Sequence, residues 1–154
     1  MNDDYYRNLP KKRMAAGALL LNEQGELLIV KPANKDYWSI AGGVIEADES
    51  PRAGCLREVR EELSIELSDV KLLGVDYTSN VGNKGDSLQF IFFGGILAEN
   101  QIANIRLDDS ELVDYRFASI VQALPLLSEK LQLRLPQCLA ALKNGAAIYL
   151  EDGK

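Results

Sequence analysis

Between Gly42 and Ile65 the chain passes from a glycine pair through a polar loop into a helix, and this stretch constrains the fold more than any other. Ser50 is an N-cap residue followed by Pro51 at the first helical position, and Ala53, Leu56, Val59 and Leu63 recur at helical spacing. The spacing predicts a helix over Pro51 to Leu63. On it Glu58 and Glu62 stand four residues apart and Glu58 and Glu61 three, so the three carboxylates share one face, opposite Leu56, Val59 and Leu63. Such a face offers hard oxygen ligands for Mg²⁺ or Mn²⁺, with Glu49 within reach from the preceding loop. The ordinary alternative is a solvated acidic face, neutralised by Arg57 and Arg60. The glycine pair, which places a tight turn ahead of Glu49, weighs for the site.

The chain contains no histidine, which removes Ser-His-Asp and Cys-His triads, imidazole bases and the usual zinc sites. Hydrolytic chemistry would have to rest on carboxylates, lysine or a bound cation. The net charge of −6 argues against binding DNA or RNA over the whole surface, so no nucleic acid is expected as the main partner. A nucleotide-sized ligand needs a metal to offset that repulsion. Apolar runs such as Met14 to Leu21 fall well short of the roughly 20 residues of a membrane helix, so no membrane partner is expected. The first twenty residues lack a secretory pattern, a cytoplasmic location follows by default, and Cys55 and Cys138 are expected to stay reduced.

Residues 1–12 read as a short polar arm and 13–154 as a single domain. Met14 to Leu21 and Glu26 to Lys31, joined by Asn22-Glu23-Gln24-Gly25, predict a strand hairpin. Val44 and Ile45 continue a short run after Tyr37 to Ile40 and the glycines. Val70 to Tyr77, Leu88 to Leu97 and Leu112 to Phe117 read as further strands, with Gly94-Gly95 marking a bulge or close approach. A short helix after Ser119 and a longer one over Ser128 to Asn144, stopped by Gly145, complete the pattern. The fold class is α/β (α+β), a layered mixed domain. Leu131, Leu135 and Leu139 form a stripe expected in the core, although such a stripe is also compatible with a homodimer.

The Gly43 to Ile65 stretch resembles the box of the Nudix hydrolases, G-x5-E-x7-R-E-U-x-E-E-x-G-U with U bulky and apolar. Gly43, Glu49, Arg57, Glu58, Val59, Glu61, Glu62 and Ile65 fit; Ser64 stands where the box has its last glycine. The resemblance extends in layout over about residues 13–150, and it implies a mixed β-sheet sandwiched between α-helices. It implies Mg²⁺- or Mn²⁺-dependent hydrolysis of a pyrophosphate bond in a nucleoside diphosphate-linked substrate: a (d)NTP, a nucleotide sugar or ADP-ribose. Glu58 and Glu62 would be the core metal ligands with Gly43 at the same site, and Glu61 a further ligand or the base. Arg57 would orient the cluster by pairing with Glu49, Gly42 would be structural, and Glu111 would add a carboxylate that binds metal or activates water. Tyr37 and Trp38 are candidates to stack on a base, against ordinary core packing. Lys31 and Lys35 are candidates to contact phosphates, against solvated loop lysines. Tyr77 and the 78–86 loop with Lys84 are further substrate-side candidates. The rival reading is a nucleotide-binding regulatory module of the same fold with weak turnover. Ser64, if held at positive φ, would cost about 1 kcal/mol relative to glycine.

Overall fold

The computed structural model describes residues 3–154. The elements in chain order are α1 (Asp3–Arg7), β1 (Arg13–Leu21), β2 (Leu27–Pro32), β3 (Ala41–Val44), α2 (Pro51–Leu63), β4 (Lys71–Thr78) and β5 (Ser87–Ile96). They are followed by α3 (Glu99–Ala103), β6 (Leu112–Ala118), α4 (Ile120–Ala123), a 3-10 turn at Leu124–Leu126, α5 (Glu129–Asn144) and β7 (Ile148–Glu151). Seven strands form one mixed sheet in the order β6-β2-β1-β5-β4-β7, with β3 pairing beside β1. The expected hairpin is β1 and β2, antiparallel across the Asn22 to Gly25 turn, where Asn22 Oδ1 accepts from the amides of Gln24 and Glu26. β1 runs parallel to β5, and β4 parallel to β7.

Side-chain alternation explains the layering. In β1 and β2, Ala16, Ala18, Leu20, Leu28 and Val30 point to one side, where they pack with Cys55, Val59 and Leu63 of α2. Leu19, Leu27 and Ile29 point to the other, against Leu131, Leu135 and Cys138 of α5. The sheet is therefore sandwiched between helices. Leu131 and Leu135 of the stripe read from sequence are buried in this core, and Leu139 packs partly buried against it. The two free thiols lie in opposite cores, one on each side of the sheet.

Gly94 is the expected bulge: Leu19 pairs with Phe93 but Leu20 pairs with Gly95, leaving one residue over. The short helices α1 and α3 and the four-residue β7 escape the sequence reading, each with little periodicity to reveal it. In the arm, the structure draws one short helix, α1, with none of its residues buried. Among the described residues no helix is long and apolar enough to cross a membrane.

Candidate active site

The helix α2 begins where the sequence places it: Ser50 Oγ accepts from the amide of Ala53 at 3.1 Å and Pro51 occupies the first turn. It ends at Ser64, which adopts the left-handed conformation at φ 59° and ψ 33° and donates from its hydroxyl to the carbonyl of Arg106.

Glycines bring the carboxylates of α2 against the sheet. A Cβ on Gly42 would lie 2.1 Å from the carbonyl oxygen of Ala16, so the close approach of β3 to β1 requires glycine. A Cβ on Gly43 would lie 2.5 Å from the carboxyl carbon of Glu58; that glycine forms the wall on which Glu58 rests. The Gly42 amide donates to Glu62 Oε1 at 2.7 Å.

Glu62 does not share the solvent-facing side of α2 with its neighbours. It is 5% exposed, nearly as buried as Val59 and Leu63, whereas the side chain of Glu61 is 51% exposed. Expecting all three carboxylates opposite the core side is thus corrected, because Glu62 turns inward to accept from the Gly42 amide. Glu111 completes the group from outside the box. The C-terminal end of α2 leaves carbonyls without helical partners, and the chain leading to β6 supplies them: Arg106 N–H donates to Leu63 and Asp108 N–H to Glu62. That stitching carries Glu111 to a place where one oxygen from each of Glu58, Glu62 and Glu111 lies within 4.8 Å of the others. Glu61 lies outside this triple.

Arg57 organises the loop side. Its Nε and Nη2 donate to the two oxygens of Glu49 at 2.7 and 2.9 Å, a bidentate pair, and its Nη1 donates to Glu58 at 2.9 Å and Glu61 at 3.2 Å. Those bonds hold the Glu49 carboxyl down at about 2 and raise the guanidinium further. Burial pushes the Glu62 carboxyl up to about 8 against the pull of the Gly42 amide, with Glu58, Glu111 and Asp108 adding repulsion. Burial also raises Glu58, opposed by Arg57. Three crowded carboxylates, two of them disfavoured as anions by their surroundings, form an all-oxygen donor set that fits a hard divalent cation.

On the other side of the glycine pair a cleft of about 350 Å³ opens between the sheet and the start of α5. Gly42, Gly43, Tyr37 and Lys84 line it. Trp38 does not: it is 9% exposed, packs in the α5-side core, and carries the Arg116 guanidinium 4.3 Å over its ring. Lys31 and Lys35 are also outside the lining, and the Lys31 ammonium donates to the carbonyls of Pro32 and Lys35. Residues not singled out from sequence do line the cleft: Ser39, Gln89, Ser128, Lys130 and Arg134. They come from four separate elements or loops, and only their common neighbourhood in space marks them.

A family model described as NUDIX domain matches residues 11–141. A MutT-like protein of Streptomyces ambofaciens is 36% identical over 66 residues, 43% of this chain and 43% of that protein. An RNA pyrophosphohydrolase of Stutzerimonas stutzeri (strain A1501) is 38% identical over 61 residues, 40% of this chain and 38% of that protein. The chain thus matches about two fifths of the length of these curated relatives. Among solved structures, a MutT protein from Methanosarcina mazei Go1 superposes with a TM-score of 0.70 at 23% identity, covering 90% of this chain and 99% of that one. A UDP-X diphosphatase superposes with a TM-score of 0.76 at 20% identity, covering 97% of this chain and 75% of that one. At these identities the likeness concerns the fold.

Proposed function

The chain belongs to the NUDIX family, and from that premise we propose that it hydrolyses a pyrophosphate bond in a nucleoside diphosphate-linked substrate with the help of Mg²⁺ or Mn²⁺. The observation that carries this reading is the convergence of Glu58, Glu62 and Glu111 beside Gly43. These three carboxylates would hold the cation. When bound, it offsets the charge of the pyrophosphate and acidifies water, which a chain without histidine has few other ways to do.

The protein's own groups prepare the rest. Arg57, locked by Glu49, fixes the Glu58 carboxylate against the Gly43 wall and tethers Glu61. Glu61, outside the triple and exposed, is the carboxylate open to accept a proton from the attacking water. The Gly42 amide keeps Glu62 oriented. The organic half of the substrate takes the adjoining cleft, with Tyr37 at its wall. The named relatives act, by their descriptions, on RNA and on UDP-linked compounds, which supports a nucleotide-type substrate for this chain.

The test is chromatographic detection of the cleavage products, pyrophosphate and nucleoside monophosphate from dNTPs and the two phosphate monoesters or nucleotides from ADP-ribose, nucleotide sugars and dinucleoside polyphosphates, with cation or with chelator. Turnover that needs the cation and falls at least about a hundredfold in Glu58→Gln and Glu62→Gln is expected. Undiminished turnover in Glu58→Gln at saturating Mg²⁺ would overturn the assignment.

A further inference from the structure

The cleft beside the glycine pair has a charge pattern that pyrophosphate hydrolysis does not by itself require. Arg13, Lys84, Lys130 and Arg134 line it, and among the described residues no aspartate or glutamate does. In a chain with 17 basic and 23 acidic residues, this is segregation of charge. Arg134 is neutralised by Asp76, with Nε 2.7 Å from Oδ2. Arg13 and Lys84 are not, while Lys130 has Asp152 in its neighbourhood. Arg13 donates to the backbone carbonyl of Lys84 at 3.2 Å, and neither Lys84 nor Lys130 forms an ion pair among the described residues. Of the nearby acids, Asp86 takes Lys12 and the Tyr77 hydroxyl, and Asp152 takes the amide and hydroxyl of Ser79 while also feeling the charge of Lys130.

Two further features share this cleft. The Thr78 hydroxyl is buried without a hydrogen-bond partner among the described residues, and Thr78 lines both this cleft and a smaller one beside Asp76 and Asp152. Helix α5 also starts here, with Ser128 and Lys130 at its amide-bearing end. A concave wall of one charge sign concentrates anions, and phosphate oxygens satisfy ammonium, guanidinium, hydroxyl and amide donors together.

We infer that this cleft holds a second anionic group of the substrate, carried on the organic half of the anhydride, so that the preferred substrate bears a phosphate away from the bond that is cut. The inference rests on the hydrolytic reading only in placing the anhydride at Glu58, Glu62 and Glu111; the cleft's own affinity is independent of it. A ribose phosphate on a small nucleotide and the first internucleotide phosphate of an RNA 5′ end present the same chemistry.

Calorimetry in the presence of chelator separates these questions. Adenosine 5′-monophosphate, adenosine 3′,5′-bisphosphate and a 5′-phosphorylated dinucleotide are titrated into the full chain and into Glu58→Gln. The bisphosphate is expected to bind about tenfold more tightly than the monophosphate, with the advantage lost in Lys84→Gln/Lys130→Gln and at about 0.5 M salt. A dinucleotide that binds more tightly still identifies the RNA-end source; one that binds no better identifies the small nucleotide. Circular dichroism of the double variant checks that its fold is retained, and the wild-type preference stands as a test without it. Equal binding of monophosphate and bisphosphate, or binding of neither, overturns the inference. Since Glu58→Gln should keep the preference while losing hydrolysis, failure of the catalytic reading leaves a different signature from failure of this one.

Discussion

Two adjacent glycines separate stability from activity at the level of single atoms. Gly42→Ala sets a methyl against the backbone of β1 at a φ of 155°, so it should cost several kcal/mol and lower the melting temperature by many degrees. Gly43→Ala meets the end of the Glu58 side chain, which can swing away; thermal melts should show the smaller loss while turnover falls at least about tenfold. The titration of Glu62 gives a prediction with a definite sign. Its carboxyl ordinarily titrates near 4.5 and is pushed up to about 8 in the fold, so the folded chain holds the proton more tightly than the unfolded one. That contribution to stability is complete below 4.5 and is lost as pH rises through 8. Melting temperatures of chelator-treated protein should decline over this window, and Glu62→Gln should flatten the decline. A saturating cation, by holding the anion, should do the same. Ser64 has the positive φ that a box glycine would take freely, so Ser64→Gly should stabilise by no more than about 1 kcal/mol and leave the rate within a few-fold.

At the scale of elements, α2 was legible to the residue because its signals are local. A capping serine, a first-turn proline and an apolar repeat act within a few residues of each other. Ser50→Ala should cost about 1 kcal/mol in denaturant unfolding, since the Ala53 amide loses its partner. The strand hairpin and α5 were legible for the same reason. By contrast β7 is only four residues long, and it exists because parallel pairing with β4 satisfies its backbone. Glu111 was visible as an acid ahead of β6, yet its arrival at Glu58 depends on amides of Arg106 and Asp108 capping the end of α2. No window of sequence contains both partners.

For the whole molecule, the buried pair of Asp76 and Arg134 ties α5 to β4 and, through the Gly153 amide that donates to Asp76, holds the C-terminal residues as well. Asp76→Ala leaves a buried guanidinium unpaired and should destabilise by about 3–5 kcal/mol, read from chemical denaturation. The sequence by itself determined the layered α+β class, the helix that carries the glutamates and the kind of chemistry they support. Periodicity, capping and residue type express forces that act along the chain. Tertiary structure alone decided which carboxylates meet: Glu62 turns inward under the Gly42 amide, Glu111 joins from a distant turn, and Glu61 stays outside. It also decided that Trp38 goes to the core while Arg13, Lys84 and Lys130 face one cleft. These outcomes depend on how two faces of one sheet are covered, and burial and charge pairing across that sheet have no local signature in the order of residues.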